Sequence, residues 1–474
     1  MMPASLESLD ALLARQRAAF RADPHPGPAA RRDRLERLLL LADRHEAAFI
    51  QAIDADFGGR SAHETRLAEL LVVRAGIRHA LRHLRRWMRV RRMPTAPYFR
   101  PGRNRLMPQP LGVVGIIAPW NYPFQLSIGP AVAALAAGNR VLVKPSELAP
   151  RFAEALQEAV AAHFAPDELA VVQGGAEFAD AFAHLPLDHL FFTGSPAVGR
   201  LVARAAAERL TPVTLELGGK SPAILAPDCD LADAARRIAF GKLLNAGQTC
   251  VAPDYLLVPA GRADAVAEAL AAAIGRLYPG LPATPDYSAI LGERHYARLA
   301  GLVEDARAQG ARVLQPGWPE RTDGGAAARK FPPTLVLDAP PQARLMREEI
   351  FGPILPILEY RDPQEAIDRI NAGERPLALY WFGRDPGLRD HALRSTHAGG
   401  VCVNDCLWQL AQEAQPFGGV GASGFGAYHG RWGFDRFSHL KPVFLQSRLG
   451  GAPLFHPPYG RIFEALLALL KKIA

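Results

Sequence analysis

The chain has 474 residues, 49 % hydrophobic and 22 % charged, with 42 glycines and 41 prolines; such a length outgrows one core and predicts two or more domains, and the composition excludes a low-complexity chain. Four scattered cysteines (Cys229, Cys250, Cys402, Cys406) exclude a disulfide framework and point to a reducing cytoplasmic setting, and Cys402 and Cys406 lack the second ligand pair of a zinc site, so no metal is expected. The formal net charge of +8 would admit nucleic acid, but the arginines between Arg78 and Arg105 come without a nucleic-acid-binding motif and read as a solvated helix face, so no nucleic-acid partner is expected.

The first ten residues carry Glu7 and Asp10 and lack the apolar core of a secretory signal. No apolar run reaches the roughly 18 to 20 residues that span a bilayer, so no stable membrane insertion is expected. Over 35–53 and 64–87 apolar residues recur at spacings of three and four, which predicts amphipathic helices. Pro94 to Pro101 ends that pattern, and 98–107 reads as an extended segment or hairpin. The run Leu111-Gly112-Val113-Val114-Gly115-Ile116-Ile117-Ala118 predicts a strand buried on both faces of a parallel sheet. Helices at 127–137, 151–163 and 197–209 then alternate with strands at 140–143, 170–172, 189–193 and 212–217, the pattern of a doubly wound α/β unit. A second α/β segment extends to about residue 400, with helices at 231–244 and 263–277 and a strand at 255–258. Past Gly399-Gly400 the chain becomes rich in glycine and aromatics, which predicts loops and an extended arm. An amphipathic stripe over 461–474 reads as a short helix packed against the protein.

Chemistry concentrates in a few segments. Glu216, in Thr214-Leu215-Glu216-Leu217-Gly218-Gly219-Lys220, precedes Cys250, in Asn245-Ala246-Gly247-Gln248-Thr249-Cys250. A thiol with a carboxylate brought near it suits covalent catalysis, the carboxylate activating water; an inert, half-buried cysteine is the other reading of the same residue. In Phe192-Thr193-Gly194-Ser195-Pro196-Ala197-Val198-Gly199 a strand gives way to a helix, a turn that can offer N–H groups and a helix dipole to a diphosphate, although a G-x-G-x-x-G fingerprint is missing. Lys144 and Glu147 stand at the end of another strand, at the edge where α/β sheets bind ligands, or form a surface ion pair. Asn121, in Pro119-Trp120-Asn121-Tyr122-Pro123-Phe124, can be an oxyanion donor or a turn former.

In this order the motifs resemble the aldehyde dehydrogenase superfamily over about residues 31–444. The resemblance rests on Pro119-Trp120-Asn121, Lys144 with Glu147, the Gly194 to Gly199 turn, Glu216 to Lys220, Gly247-Gln248-Thr249-Cys250 and Glu348-Glu349-Ile350-Phe351-Gly352-Pro353. Pro416-Phe417-Gly418-Gly419-Val420-Gly421, Tyr428-His429-Gly430 and Phe437-Ser438-His439 look like the class 3 branch. Phe240-Gly241-Lys242-Leu243-Leu244-Asn245 and Pro457-Pro458-Tyr459-Gly460 are similar to bacterial coniferyl aldehyde dehydrogenases.

The resemblance implies a Rossmann-type cofactor domain (1–93 and 108–217), an α/β catalytic domain (218–400), a β oligomerisation arm (94–107 and 401–450) and a tail (451–474). It implies Cys250 as nucleophile, Glu216 as base and Asn121 as oxyanion donor. For the cofactor, NAD with NADP as an option, it implies Trp120, Lys144, Glu147, Gly194, Ser195, Val198, Gly199, Leu217, Gly218, Glu349 and Phe351. The one departure is Pro196, where a threonine is common, and a first-turn proline is tolerated. The implied reaction is oxidation of an aldehyde, of the coniferyl type, to the acid through a thioester, in a homodimer. Trp120, Tyr122, Phe124, Trp408 and Phe417 are expected to line the pocket of a flat aromatic aldehyde. Medium- or long-chain aliphatic aldehydes, or acyl transfer to coenzyme A, are the alternatives; Glu216 argues against the last.

Overall fold

The computed structural model describes residues 6–319 and 329–473, and three sheets organise them. The first sheet runs Gly424–Phe425, Val213–Leu217, His189–Gly194, Val113–Ile117, Arg140–Lys144, Leu169–Val171, parallel except for its first member. Val113–Ile117 is buried along its whole length, as an unbroken apolar run with helices on both faces should be. From that strand the chain builds outward through Arg140–Lys144 and Leu169–Val171, then returns to add His189–Gly194 and Val213–Leu217 on the other side. The order therefore reverses between Val113–Ile117 and His189–Gly194, and the crevice at their carboxyl ends is where open α/β sheets take ligands.

Pro123–Ala137 begins at that crevice. Pro123 occupies the first turn, where its missing N–H costs nothing, and Gly138 ends the helix in the left-handed region at φ 96°. Nearly every side chain of the helix is buried. That explains why it starts four residues before the expected 127: the Phe124 and Gln125 turn carries no amphipathic stripe.

The second sheet runs Arg312–Leu314, Thr334–Leu337, Ile354–Tyr360, Tyr255–Pro259, Pro222–Leu225, Ala378–Phe382, Gly400–Val403, with only the Arg312–Leu314 pairing antiparallel. The third is antiparallel: Arg91–Met93, Arg103–Pro110, Ser438–Leu445. The segment after residue 400 thus feeds all three sheets, because the pairing of short glycine-rich strands leaves no mark in side-chain periodicity.

Several boundaries differ from expectation. The helix expected over 35–53 breaks at His45 (φ −103°) into Pro28–Arg44 and Glu46–Phe57. The 64–87 run is continuously helical but opens with a π-helical turn, Arg66–Leu71, before Val72–Trp87. The 98–107 segment is a 3-10 turn, Pro97–Phe99, and the start of a strand. Helices Leu6–Ala22 and Ala176–Ala183 are additional to those expected. Arg461–Ile473 is helical, yet Ile462 and Leu469 of its apolar stripe stand exposed, so the expected packing of that stripe onto the protein is not made by these two. No helix among the described residues is long and apolar enough to cross a membrane.

Candidate active site

The loop that carries Cys250 is held in an unfavourable backbone shape. After the helix Leu231–Leu243, Asn245 (φ 53°), Ala246 (φ 50°) and Gly247 (φ 72°) lie consecutively in the left-handed region, which costs about 1–2 kcal/mol for each non-glycine residue. Buried hydrogen bonds hold them there. The Asn245 N–H donates to both oxygens of the Glu64 carboxylate at 3.1 Å. The Gln248 amide donates to the carbonyls of Asn245 (2.9 Å) and Ala289 (3.0 Å) and accepts from the Leu291 N–H (2.9 Å). A side chain at Gly247 would run into the Gly352 carbonyl. Cys250 emerges from this loop half-buried.

Asn121 reaches the same loop from the carboxyl end of Val113–Ile117. Its Nδ2 donates to the Gln248 carbonyl at 3.1 Å, while its own carbonyl accepts from Arg60 Nη1 (2.6 Å) and Asn245 Nδ2 (2.9 Å). Arg60 in turn lies 3.3 Å from Glu69, both side chains fully buried, and Glu69 caps Pro123–Ala137 by accepting from the Phe124 and Gln125 N–H groups at 2.7 and 3.3 Å. The next residue, Tyr122, shares a 2.6 Å hydrogen bond with Thr249. The amide of Asn121 keeps a second proton that no carbonyl of the described residues takes.

Two carboxyls act on the Cys250 thiol. Glu216, in Val213–Leu217, is 3 % exposed and neither of its oxygens has a hydrogen-bond partner among the described residues; burial pushes its pKa well above the ordinary range. Glu349 lies against Gly218, where any side chain would collide with its carboxyl group, and burial pushes it up to about 8. Burial raises the thiol first, and Glu349 and Glu216 raise it further. The thiol therefore carries its proton at neutral pH in the ligand-free site, and attack requires an acceptor for that proton.

Thr249 and Cys250 line a cavity of about 370 Å³. Its apolar wall includes Leu67 and Leu71 of the π turn, Phe240, Trp408 and Phe417, and the planes of Phe240 and Trp408 lie 15° apart. Of the five aromatics expected there, Tyr122, Trp408 and Phe417 line the cavity. Phe124 is instead fully buried in the core, and Trp120 points elsewhere, with ring centroids 5.5 Å from Phe351 and 4.8 Å from His295. Phe124 belongs to the first turn of Pro123–Ala137, a helix buried on nearly every side, whereas Trp120 precedes that helix.

The other expected residues line the carboxyl ends of the first sheet. Lys144 is 1 % exposed and donates to the half-exposed Glu147 at 2.7 Å. Gly194 ends its strand, and Ser195 caps Pro196–Glu208, its Oγ accepting from the Val198 N–H at 3.4 Å. Val198 stands exposed, and Gly199 lets the helix press on the buried Leu217, which a side chain there would strike. Phe351 takes a left-handed φ of 49° beside Trp120.

Residues 2–443 match the family described as "Aldehyde dehydrogenase family". The chain belongs to the aldehyde dehydrogenase family. A Pseudomonas aeruginosa relative named "Probable coniferyl aldehyde dehydrogenase" is 47 % identical over 462 residues, 98 % of this chain and 96 % of its own. The solved substrate-bound Staphylococcus aureus AldH matches with a TM-score of 0.92 and 36 % identity, covering 98 % of this chain and 99 % of that one. A mutant of aldehyde dehydrogenase C (AldC) from Pseudomonas syringae, solved with NAD+ and octanal, matches with a TM-score of 0.83 and 29 % identity, covering 93 % and 89 %. The fold, a Rossmann-type unit joined to a second α/β unit, and the use of NAD(P) go with membership of the aldehyde dehydrogenase family.

The residues of this aldehyde dehydrogenase suit a dinucleotide. Glu147 presents a half-exposed carboxylate beside a buried cation, and Thr193 Oγ1 is buried without a partner among the described residues, next to the Gly194-Ser195 turn. Arg60, Glu64, Glu69 and Gln125 are functional neighbours that the sequence did not single out. A signal existed for two of them: Glu69 falls on the buried face of the 64–87 pattern, and Gln125 interrupts an otherwise apolar run.

Proposed function

We propose that Cys250 attacks an aldehyde carbon, that Asn121 receives the resulting oxyanion, and that Glu216 later activates the water that releases the acid. One observation carries this reading: Cys250 lines an apolar cavity, with a bound but half-free amide beside its loop and, acting on it, a carboxyl that lacks a hydrogen-bond partner among the described residues. The thiol gives up its proton as sulfur attacks, to the ionised form of Glu349, whose share grows as the pH rises toward about 8. Sulfur bonds to the carbonyl carbon, and the negative oxygen accepts hydrogen bonds from the free Asn121 Nδ2–H and the Cys250 N–H. NAD(P), when bound, supplies the acceptor for the hydride that leaves this carbon. Lys144 and Glu147 would hold its adenosine ribose, Gly194, Ser195, Val198 and Gly199 its diphosphate, and Trp120, Leu217, Gly218, Glu349 and Phe351 its nicotinamide end. On the thioester, Glu216 takes a proton from water, the new C–O bond forms, the C–S bond breaks, and the thiolate is regenerated.

The substrate proposed is an aromatic aldehyde of the coniferyl type. The name borne by the Pseudomonas aeruginosa relative supports it, as does a cavity of about 370 Å³ walled by Phe240, Trp408 and Phe417. The same wall holds Leu67, Leu71 and Leu410, which favours medium- or long-chain aliphatic aldehydes as the second reading. Following reduced-nicotinamide absorbance with a panel of aryl and alkyl aldehydes, NAD or NADP, with and without coenzyme A, separates these readings. Turnover of aryl aldehydes without a coenzyme A requirement supports the proposal, and silence with every aldehyde refutes it.

A homodimer and a cytoplasmic setting belong to the same proposal. Ser438–Leu445 has a partner on only one side among the described residues and exposes Phe444 and Leu445, the kind of edge a second copy can extend. The four cysteines are free thiols.

A further inference from the structure

One wall of the apolar cavity is polar. Gln125, Tyr428 and His429 line it and are 8 %, 1 % and 7 % exposed. His429 Nδ1 is buried without a hydrogen-bond partner among the described residues, an unfavourable arrangement when nothing fills it. His429 holds its position at φ 80° and ψ 137°, a backbone region that side chains other than glycine rarely adopt. Burial lowers its imidazole to about 4, so the ring is neutral.

Behind this wall lies a second cavity of about 30 Å³, which shares Val72, Gln125 and His429 with the larger one and reaches Glu413. It has room for a water or a hydroxyl group and none for a ring. Glu413 enters it over Gly76, in the middle of Val72–Trp87, where a Cβ would sit 2.9 Å from Glu413 Oε1. Glycine inside a helix is unfavourable relative to alanine, and here its absent side chain makes room for a carboxylate. Glu413 Oε2 accepts from the Gly430 N–H at 2.9 Å, and Oε1 takes no hydrogen bond among the described residues.

We propose that Glu413, His429 and Gln125 form a subsite that reads the ring hydroxyl of a hydroxyaryl aldehyde, the ring lying in the larger cavity and its O–H entering the smaller one. The phenolic O–H donates to Glu413 Oε1, and the phenolic oxygen accepts from the Gln125 amide or the His429 ring. This rests on the aryl-aldehyde reading above and adds its selectivity: a chain or an unsubstituted ring leaves these polar groups without the substrate's partner. A site built to bond a hydroxyl discriminates far more strongly than one that only measures size.

The test compares kcat/KM, with NAD, for 4-hydroxy-3-methoxycinnamaldehyde and its 4-O-methyl ether, in the unaltered enzyme, Glu413→Leu and Glu413→Gln. Because each preparation supplies both numbers, loss of folded protein cancels from their ratio. The hydroxyl form should lead by about tenfold or more in the unaltered enzyme, the ratio should fall close to one in Glu413→Leu, and Glu413→Gln, which keeps an acceptor, should recover part of it. A ratio near one in the unaltered enzyme, or one unmoved by Glu413→Leu, overturns the subsite and leaves the aryl-aldehyde reading standing. Oxidation of octanal with neither cinnamaldehyde accepted overturns both.

Discussion

Asn121 Nδ2 donates to the Gln248 carbonyl at 3.1 Å, so the proposed oxyanion donor is anchored to the loop two residues before the nucleophile it serves. One amide proton fixes the side chain and the other remains for substrate oxygen. Asn121→Ala should lower kcat by about a hundredfold to a thousandfold, the range for losing one oxyanion donor, with a much smaller change in KM. Steady-state kinetics checks this, and a change confined to KM would contradict the role.

The buried Arg60 and Glu69 pair holds that arrangement from behind, since Arg60 also donates to the Asn121 carbonyl. Glu69→Ala leaves a guanidinium buried without its carboxylate and strips the cap from Pro123–Ala137. The expected loss is about 3–5 kcal/mol of stability, read from the denaturant midpoint. Glu69→Gln, which keeps an acceptor, should lose less.

The thiol of Cys250 is raised by burial, then by Glu349, then by Glu216. Its alkylation by iodoacetamide should therefore be slower than that of a free cysteine at pH 8 and should still be climbing at pH 9. Glu349 is neutral below about pH 8, so Glu349→Gln should change alkylation little at pH 7. Above pH 8 the substitution removes a negative neighbour and should speed alkylation by about threefold or more, since each unit of thiol pKa is tenfold in thiolate. Peptide mass spectrometry separates Cys250 from Cys229 and Cys402, which are also partly exposed.

Glu147 is half-exposed and held by the buried Lys144 at 2.7 Å. If it takes ribose hydroxyls, its charge opposes a 2′-phosphate. Glu147→Gln should shift the ratio of kcat/KM for NADP over NAD upward by about tenfold, or ~1.4 kcal/mol. An unchanged ratio would place cofactor choice elsewhere.

Strands such as Val113–Ile117 and Arg140–Lys144 were legible because both faces are buried and the residues are continuously apolar. Helix Ala263–Leu277 was legible because one face is buried and the other wet. Glu216, Cys250 and Asn121 are put forward by motif order, and their roles are proposals. What remained hidden depends on pairing across long sequence distances. The Asn245 to Gly247 turn is strained locally and stabilised by Glu64, Gln248 and Ala289. Trp120 and Phe124 read as equivalent pocket aromatics in the sequence, whereas Phe124 is buried within the helix Pro123–Ala137 and Trp120 packs beside Phe351 and His295. The Gly424–Phe425 pairing beside Glu216 involves two residues, too few for any periodicity.

The division of labour between Cys250 and Glu216 is tested most directly by rapid-mixing kinetics on Glu216→Gln. With excess aldehyde and NAD, the expected result is a burst of reduced nicotinamide close to one per active site at an almost unaltered rate, followed by a steady state slowed about a hundredfold or more. Loss of the burst, with thioester formation slowed as much as turnover, would contradict it.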